Sequence, residues 1–185
     1  MNEHAEITWD QTPEDIRPTL RLYCDTLARR VAEGEGMVLA GRAGAGKTCC
    51  LRLICETASE VRVPWALLRA PVLFNLLHRE RWGDYQESEA ALLLIDDLGT
   101  EYPSDLATSR FVDLMLDRHE RRQPVIIATN LSEADLAARP GMERVVSRLR
   151  ERGPYLWTRR EDQRRPVSVR DWAEEWERER VEAPA

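Results

Sequence analysis

Short apolar runs alternate along the chain with stretches in which apolar residues recur every three or four positions. The runs at 37–40, 64–68, 91–95 and 124–128 are mostly hydrophobic over four or five residues, which is typical of strands buried on both faces. The stretches between them have the period of amphipathic helices. Strands that alternate with helices favour a parallel sheet covered on both faces, so the pattern predicts an α/β fold.

The first amphipathic stretch begins near Thr12 and carries apolar residues at steps of three and four from Ile16 to Val31. It predicts one helix, bent at Pro18 and ended by the glycines at 34 and 36. A fifth strand is predicted near 155–158. Further helices are predicted at 47–59, 72–79, 104–122, 142–152 and 169–181, and Ser132 opens a short helix. In the helix at 104–122 the residues predicted to face inward are Leu106, Phe111, Leu114 and Met115. In the helix at 169–181, Val169, Trp172 and Trp176 lie on one face. The tryptophan face is interpreted either as core packing or as a surface for a partner.

A glycine-rich segment lies between the first predicted strand and the next helix. Its sequence matches the pattern G-x-x-x-x-G-K-[ST] and consists of Gly41, Arg42, Ala43, Gly44, Ala45, Gly46, Lys47 and Thr48. In this context the glycines allow backbone N–H groups to turn around phosphates at a helix N-terminus. Lys47 would reach the β- and γ-phosphates, and Thr48 would supply a hydroxyl to Mg²⁺. The segment therefore predicts a site for ATP with Mg²⁺.

Lysine usage singles out the same position. The chain has 27 basic side chains, and Lys47 is the only lysine among them. An ammonium differs from a guanidinium chiefly where a compact point charge must fit between phosphate oxygens. This contrast supports a phosphate-binding role for Lys47.

Two carboxylates, Asp96 and Asp97, follow the most hydrophobic run of the chain. Ligands in open α/β sheets bind at the carboxyl ends of the strands, and two adjacent buried charges are costly without a cation. We expect Asp96 to hold Mg²⁺ and Asp97 to activate the attacking water. A turn-forming Asp-Asp pair before Gly99 is the alternative.

Asn130 ends the next predicted strand at the same edge of the sheet. There it would hydrogen-bond the γ-phosphate or the attacking water and so report the nucleotide state. Asparagine is also common as a strand-ending or capping residue, which leaves a purely structural role open.

Five segments, taken in order, resemble the DnaC/IstB branch of AAA+ ATPases, which is related to the replication initiator DnaA. The segments are the loop at 41–48, Leu93–Glu101, Ile126–Leu131, Glu143–Leu149 and Asp162–Arg165. The likeness spans about residues 16–165 and implies a P-loop NTPase of AAA+ type. It further implies ATP-dependent self-assembly and a role in loading or remodelling a DNA-bound partner, either a replicative helicase or a transposase.

The resemblance also assigns roles at subunit contacts. It implies that Asn130 is the sensor residue and that Arg148 is an arginine finger acting on the γ-phosphate of a neighbouring subunit, with Arg144 assisting. An arginine-rich solvated helix is the alternative for this stretch. Asp97 replaces the glutamate of most AAA+ proteins, which predicts slow, switch-like and partner-stimulated hydrolysis.

The resemblance also bears on domain organisation. We expect an N-terminal helical segment over 1–35, an ATPase domain over 36–165 and a C-terminal helix or tail over 166–185. Only about 35 residues precede the first strand, where DnaC-type loaders carry a separate helicase-binding module, and no C-terminal lid domain is expected.

Composition narrows the range of functions. The net charge of −6 argues against coating nucleic acid by bulk electrostatics, although arginines cluster between 144 and 165 and suit self-association or a local DNA contact. Neither a membrane span nor a secretion signal is recognisable, so a cytoplasmic protein without membrane contact is expected. The four cysteines lack C-x-x-C spacing and are interpreted as reduced, packed thiols.

Two other functions remain open at this stage. A small-molecule P-loop kinase would use the arginines at 159–165 as a mobile lid. An ATP-gated adaptor with negligible hydrolysis would act by assembly alone, and the aspartate at position 97 motivates it.

Overall fold

A computed structural model describes residues 7–79, 83, 89–101 and 104–162. Within these ranges the chain forms five strands and seven α-helices after a 3-10 turn at Trp9–Gln11. The strands are β1 (Met37–Gly41), β2 (Trp65–Arg69), β3 (Leu92–Leu98), β4 (Val125–Thr129) and β5 (Tyr155–Thr158). The helices are α1 (Arg17–Asp25), α2 (Leu27–Glu33), α3 (Lys47–Glu60), α4 (Ala70–His78), α5 (Asp105–Glu120), α6 (Glu133–Ala137) and α7 (Met142–Arg152).

The five strands form one sheet in the order β2-β3-β4-β1-β5, and every pairing is parallel. Strand β4 therefore lies between β1 and β3, and β5 lies on the far side of β1. Because the strands are parallel, all their carboxyl ends meet at one edge. The segments that follow β1, β3, β4 and β5 are neighbours there, and this edge carries the candidate site.

Helices cover both faces of the sheet, as the alternating pattern predicts. Along β3, Leu92 and Leu94 join a buried cluster with α1, α2 and α3, whereas Leu93 and Ile95 join the cluster formed with α4 to α7. This alternation follows from the two-residue period of a strand. Since both faces are buried, each central strand is a continuous apolar run rather than an alternating one.

The first helical stretch is interrupted at a different residue from the one predicted. Pro18 lies in the first turn of α1, where its missing N–H costs no helical hydrogen bond. The break falls at Thr26, which has non-helical backbone angles. Its hydroxyl donates to the carbonyl of Leu22 and accepts from Nε of Arg30, and such local bonds compete with regular helix geometry.

One predicted core position on α5 is also wrong. Leu106 is 48 % exposed, and its neighbour Ala107 is buried at 2 %. The capping residue Ser104 sets the start of α5, and its hydroxyl accepts from the backbone N–H of Ala107. Ala107, Phe111 and Met115 recur at steps of four residues and share the face packed on the core, and Leu106 lies one position outside that stripe.

The remaining expectations concern thiols, membranes and the C-terminal helix. All four cysteines are free thiols, and Cys24, Cys50 and Cys55 are buried. Among the described residues, no helix combines the length and the apolar character needed to cross a membrane. The helix predicted over 169–181 and the end of the motif at 162–165 lie outside the described residues.

Candidate nucleotide-binding site

The glycine-rich loop connects β1 to α3 at the carboxyl edge of the sheet. Gly44 and Gly46 have φ angles of +73° and +92°, which side chains other than glycine rarely adopt. Gly46 also approaches the N-terminal segment so closely that a Cβ atom would lie 2.5 Å from the carbonyl oxygen of Gln11. The loop thus leads directly into the N-terminus of a 14-residue helix, whose first N–H groups lack helical acceptors and favour anions.

Lys47 is the first residue of α3 and is 6 % exposed. Its ammonium donates to the carbonyl oxygens of Gly41 at 2.9 Å and Arg42 at 2.8 Å, and to Oδ1 of Asn130 at 2.7 Å. These bonds hold the charge between the loop and the end of β4. The structure therefore brings together two residues that are 83 positions apart in sequence.

Asp96 lies near the end of β3 and joins Thr48 across the cleft. The Thr48 hydroxyl donates to Oδ2 of Asp96 at 3.0 Å, and the backbone N–H of Asp97 donates to Oδ1 at 3.0 Å. Burial, and secondarily the charge of Asp97, raise the pKa of Asp96 above its ordinary value. A divalent cation would offset both effects.

The donor set at this point fits Mg²⁺. A hydroxyl and a carboxylate are the hard oxygen ligands that Mg²⁺ prefers, and Mg²⁺ usually takes few protein ligands alongside phosphate and water. Among the described residues no cluster of three or more His, Cys, Asp or Glu side chains forms a metal cage. Thr48 and Asp96 therefore suit a metal that arrives with a phosphorylated ligand rather than a dedicated metal centre.

Asp97 adopts a left-handed backbone conformation with φ of +59°, and the β3–β4 register is irregular between Ile95 and Leu98. For a residue other than glycine this conformation costs energy and is found preferentially at functional sites. Its Oδ2 lies 3.5 Å from the guanidinium of Arg69 at the end of β2. Asp97 lines the cleft. Arg69 was not predicted as a site residue, although it directly follows the predicted strand at 64–68 and the strand-end rule would have indicated it.

Asn130 follows β4, and its side chain is directed at Lys47. The preceding Thr129 is fully buried and donates to the carbonyl of Leu98, while its hydroxyl accepts from the N–H of Leu131. These bonds fix the turn after β4 against the end of β3. The side chain of Asn130 therefore points into the cleft rather than capping the strand.

The cleft between these groups has a volume of about 340 Å³, within the size range of small-molecule sites. Residues of the loop line it together with Asp97 and Asn130, and two further residues, Gln11 and Arg160, form its other wall. Gln11 was not predicted at the site, and Arg160 was considered only as part of a mobile lid in a kinase. Arg160 follows the last strand by two residues, so the rule that placed Asp96 and Asn130 at this edge would also have indicated Arg160.

Arg148 is the one predicted site residue that lies elsewhere. It lines a small crevice with Gly36, Met37 and Val125, which belong to the starts of β1 and β4. Its guanidinium contacts Oε1 of Glu151 at 2.6 Å and is about half exposed. Within this chain Arg148 therefore lies at the edge of the sheet opposite the cleft.

Comparisons with known proteins are informative at the level of three-dimensional structure. No protein-family model matches the chain, and no curated protein matches its sequence. A crystal structure of the DnaC helicase loader matches with a TM-score of 0.69 and 24 % identity, over 83 % of this chain and 97 % of that one. The chain has the AAA+ P-loop fold.

Other structures with the AAA+ fold agree with this assignment. The crystal structure of DnaI matches with a TM-score of 0.65 and 21 % identity, over 89 % of this chain and 88 % of that one. The AMPPCP-bound structure of DnaA from Aquifex aeolicus matches with a TM-score of 0.64 and 18 % identity, over 82 % of this chain and 50 % of that one. At these identities the comparisons establish the fold, and this chain covers about half of the chain in that DnaA structure.

Proposed function

We propose that this protein is a cytoplasmic AAA+ ATPase that binds ATP with Mg²⁺ and assembles into a homo-oligomer to load or remodel a DNA-bound partner. One observation carries the proposal. At the glycine-rich loop, Lys47 at the start of α3 bonds to Asn130 after β4, and the next residue, Thr48, bonds to Asp96 of β3. Lys47, Thr48 and Asn130 line one cleft. This is the arrangement that a triphosphate and its metal require.

Each side chain has a role in nucleotide binding. The backbone of residues 41–46 and the first turn of α3 surround the phosphates. Lys47 exchanges its carbonyl acceptors for β- and γ-phosphate oxygens, and Thr48 and Asp96 hold Mg²⁺. Asn130, already bonded to Lys47, monitors the γ-phosphate.

Hydrolysis needs a base and a compensating charge. Asp97 orients the attacking water, and Arg148 of a neighbouring subunit neutralises charge on the γ-phosphate. The distance of Arg148 from its own cleft supports a role in trans, since a residue at the opposite edge of the sheet reaches only another subunit's nucleotide. Arg144, one turn earlier on α7, assists at the same contact.

The partner is proposed to be a replicative helicase or a transposase on single- or double-stranded DNA. Two similar structures support this class of partner: one is named a helicase loader, and one is DnaA bound to AMPPCP and single-stranded DNA. The excess of arginine in the sequence between 144 and 165 is consistent with such contacts.

Nucleotide binding is tested by titration calorimetry with ATP and millimolar Mg²⁺. Lys47→Ala is expected to weaken binding at least about tenfold, because a hydrogen bond to a charged group contributes about 1.5–3 kcal/mol. Arg52→Ala, an exposed position on the same helix, serves as the matched control and should leave affinity unchanged. Absence of binding by the parent protein, or equal affinity of Lys47→Ala, would refute the proposal.

The role of Arg148 in trans is tested by mixing subunits. Lys47→Ala and Arg148→Ala proteins should each release little phosphate alone, whereas their mixture should regain activity through contacts that pair an intact cleft with an intact arginine. Arg150→Ala, an exposed position on the same helix, controls for loss of charge. A protein that stays monomeric with an ATP analogue, DNA and partner would contradict assembly.

One observation favours the adaptor as a second candidate. Asp97 is held by Arg69 and by a left-handed backbone, an arrangement that restrains the proposed base. Asp97→Asn distinguishes the two functions. Loss of turnover with trapped partner complexes supports the ATPase, and unchanged partner release supports the adaptor.

A further inference from the structure

The parallel sheet orders the cleft residues from one side to the other. Across the carboxyl edge, the segment after β3 is followed by that after β4, then by the glycine-rich loop after β1, and finally by the segment after β5. The groups suited to Mg²⁺ and to the γ-phosphate, Asp96 and Asn130, belong to the β3 and β4 end. A nucleotide lying along the loop therefore has its nucleoside end near β5.

Arg160 is the cation at that end of the cleft. It lies two residues after β5, lines the cleft, and its Nη1 lies 3.6 Å from the position that a Cβ atom of Gly46 would occupy. Nη1 donates to the carbonyl of Gln11 at 3.0 Å. A guanidinium has five N–H donors in a planar fork, and this is its one side-chain bond to the described residues, so donors remain for a ligand.

A hydrogen-bonded junction fixes the backbone from which Arg160 projects. The carboxylate of Asp15 accepts from the hydroxyl of Thr158 and from the backbone N–H of Arg159, both at 2.8 Å. The Thr158 hydroxyl in turn accepts from the N–H of Arg160 at 3.2 Å. Although burial opposes it, these hydrogen bonds lower the pKa of Asp15 below its ordinary value. The junction is therefore held by an ionised carboxylate at neutral pH.

We infer that Arg160 is a nucleotide ligand supplied by the same subunit, which binds the α-phosphate side of the bound nucleotide, with Asp15 as its positioning residue. The inference rests on the proposed nucleotide site. It assigns opposite ends of one ligand to two groups: Arg160 binds the part that ADP and ATP share, and Asn130 binds the part that only ATP has. Arginine suits this role because its planar fork matches two phosphate oxygens at once.

The test compares ADP with a non-hydrolysable ATP analogue by titration calorimetry in millimolar Mg²⁺. Arg160→Ala is expected to weaken both ligands by the same factor, about tenfold or more, since both carry the α-phosphate. Arg160→Gln, which retains a donor for the Gln11 carbonyl but lacks the charge, should show the same equal loss. Asn130→Ala should instead weaken the ATP analogue more than ADP.

Arg159→Ala is the matched control, because it removes the same charge from the adjacent exposed position while keeping the backbone N–H that Asp15 binds. It should bind both nucleotides as the parent does. Unchanged affinities in both Arg160 variants, or a loss confined to the ATP analogue, would overturn the inference even though the parent protein binds nucleotide. Failure of the parent protein to bind either ligand would instead refute the proposed function.

The Asp15→Asn variant tests whether Asp15 acts by positioning Arg160 rather than by binding the nucleotide itself. The amide keeps an oxygen acceptor but replaces the carboxylate that joins Thr158 and Arg159. Asp15→Asn should weaken both nucleotides less than Arg160→Ala does, and combining the two changes should add little to the Arg160→Ala loss. Additive losses would refute a positioning role for Asp15.

Discussion

Replacing Arg139 by methionine tests the ion pair that supports the loop after β3. The Glu101 side chain is 3 % exposed, its Oε1 lies 2.7 Å from the Arg139 guanidinium, and its Oε2 accepts from the backbone N–H of Gly99 at 2.7 Å. Removing one partner of a buried pair costs about 3–5 kcal/mol. Since Arg139 is 26 % exposed, water partly replaces it, and we expect Arg139→Met to lower the free energy of unfolding by about 2 kcal/mol.

The assay is equilibrium unfolding in urea, monitored by circular dichroism. If the slope of the free energy of unfolding against urea concentration is unchanged, only the stability has altered. Adding Glu101→Gln to Arg139→Met removes the uncompensated charge but keeps an acceptor for Gly99. The double variant should therefore regain more than half of the lost stability. A loss below about 0.5 kcal/mol in Arg139→Met, or a double variant no more stable than the single one, would refute this reasoning.

Three further predictions concern the site, the sheet and the thiols. Asn130→Ala should reduce the preference for ATP over ADP by about tenfold, because one hydrogen bond near the γ-phosphate is lost, and competition binding measures it. Gly36→Ala should destabilise the fold by about 2 kcal/mol or more in urea unfolding, because a Cβ there would lie 2.1 Å from the carbonyl oxygen of Val125. Burial raises the pKa of both Cys50 and Cys55 to about 12, so at pH 8 iodoacetamide should modify them in urea but not in the native protein; rapid native labelling of either would contradict their burial.

The architecture was predictable because it depends on local patterns. Apolar runs identified the strands, and the three-to-four-residue period identified the helices between them. The break at Thr26 was not predictable in this way, since the proline at position 18 gave the stronger local signal. On α5, Leu106 was assigned to the core although it lies five residues before Phe111, whereas Ala107 lies four before it and is the buried residue.

The candidate site was predictable where its residues follow hydrophobic strands. Asp96 and Asn130 were assigned to one edge by that rule, and Lys47 was assigned by the glycine-rich motif. Lys47 and Asn130 line one cleft, and Asp96 bonds to Thr48 beside it. Gln11 was not predictable, because it reaches the site through tertiary packing and occurs in no motif. The domain boundaries and the catalytic roles stay predictions.

The junction between Asp15 and Thr158 spans 143 positions of the chain, and the bond between Gln11 and Arg160 spans 149. Contacts with such wide separation carry a loop-closure entropy cost that local contacts do not. During synthesis from the N-terminus, the glycine-rich loop and Asp96 leave the ribosome well before β5 exists. A nascent chain would thus have its phosphate loop without the opposite wall, and it would acquire a complete cleft only once β5 and the residues after it had joined the sheet.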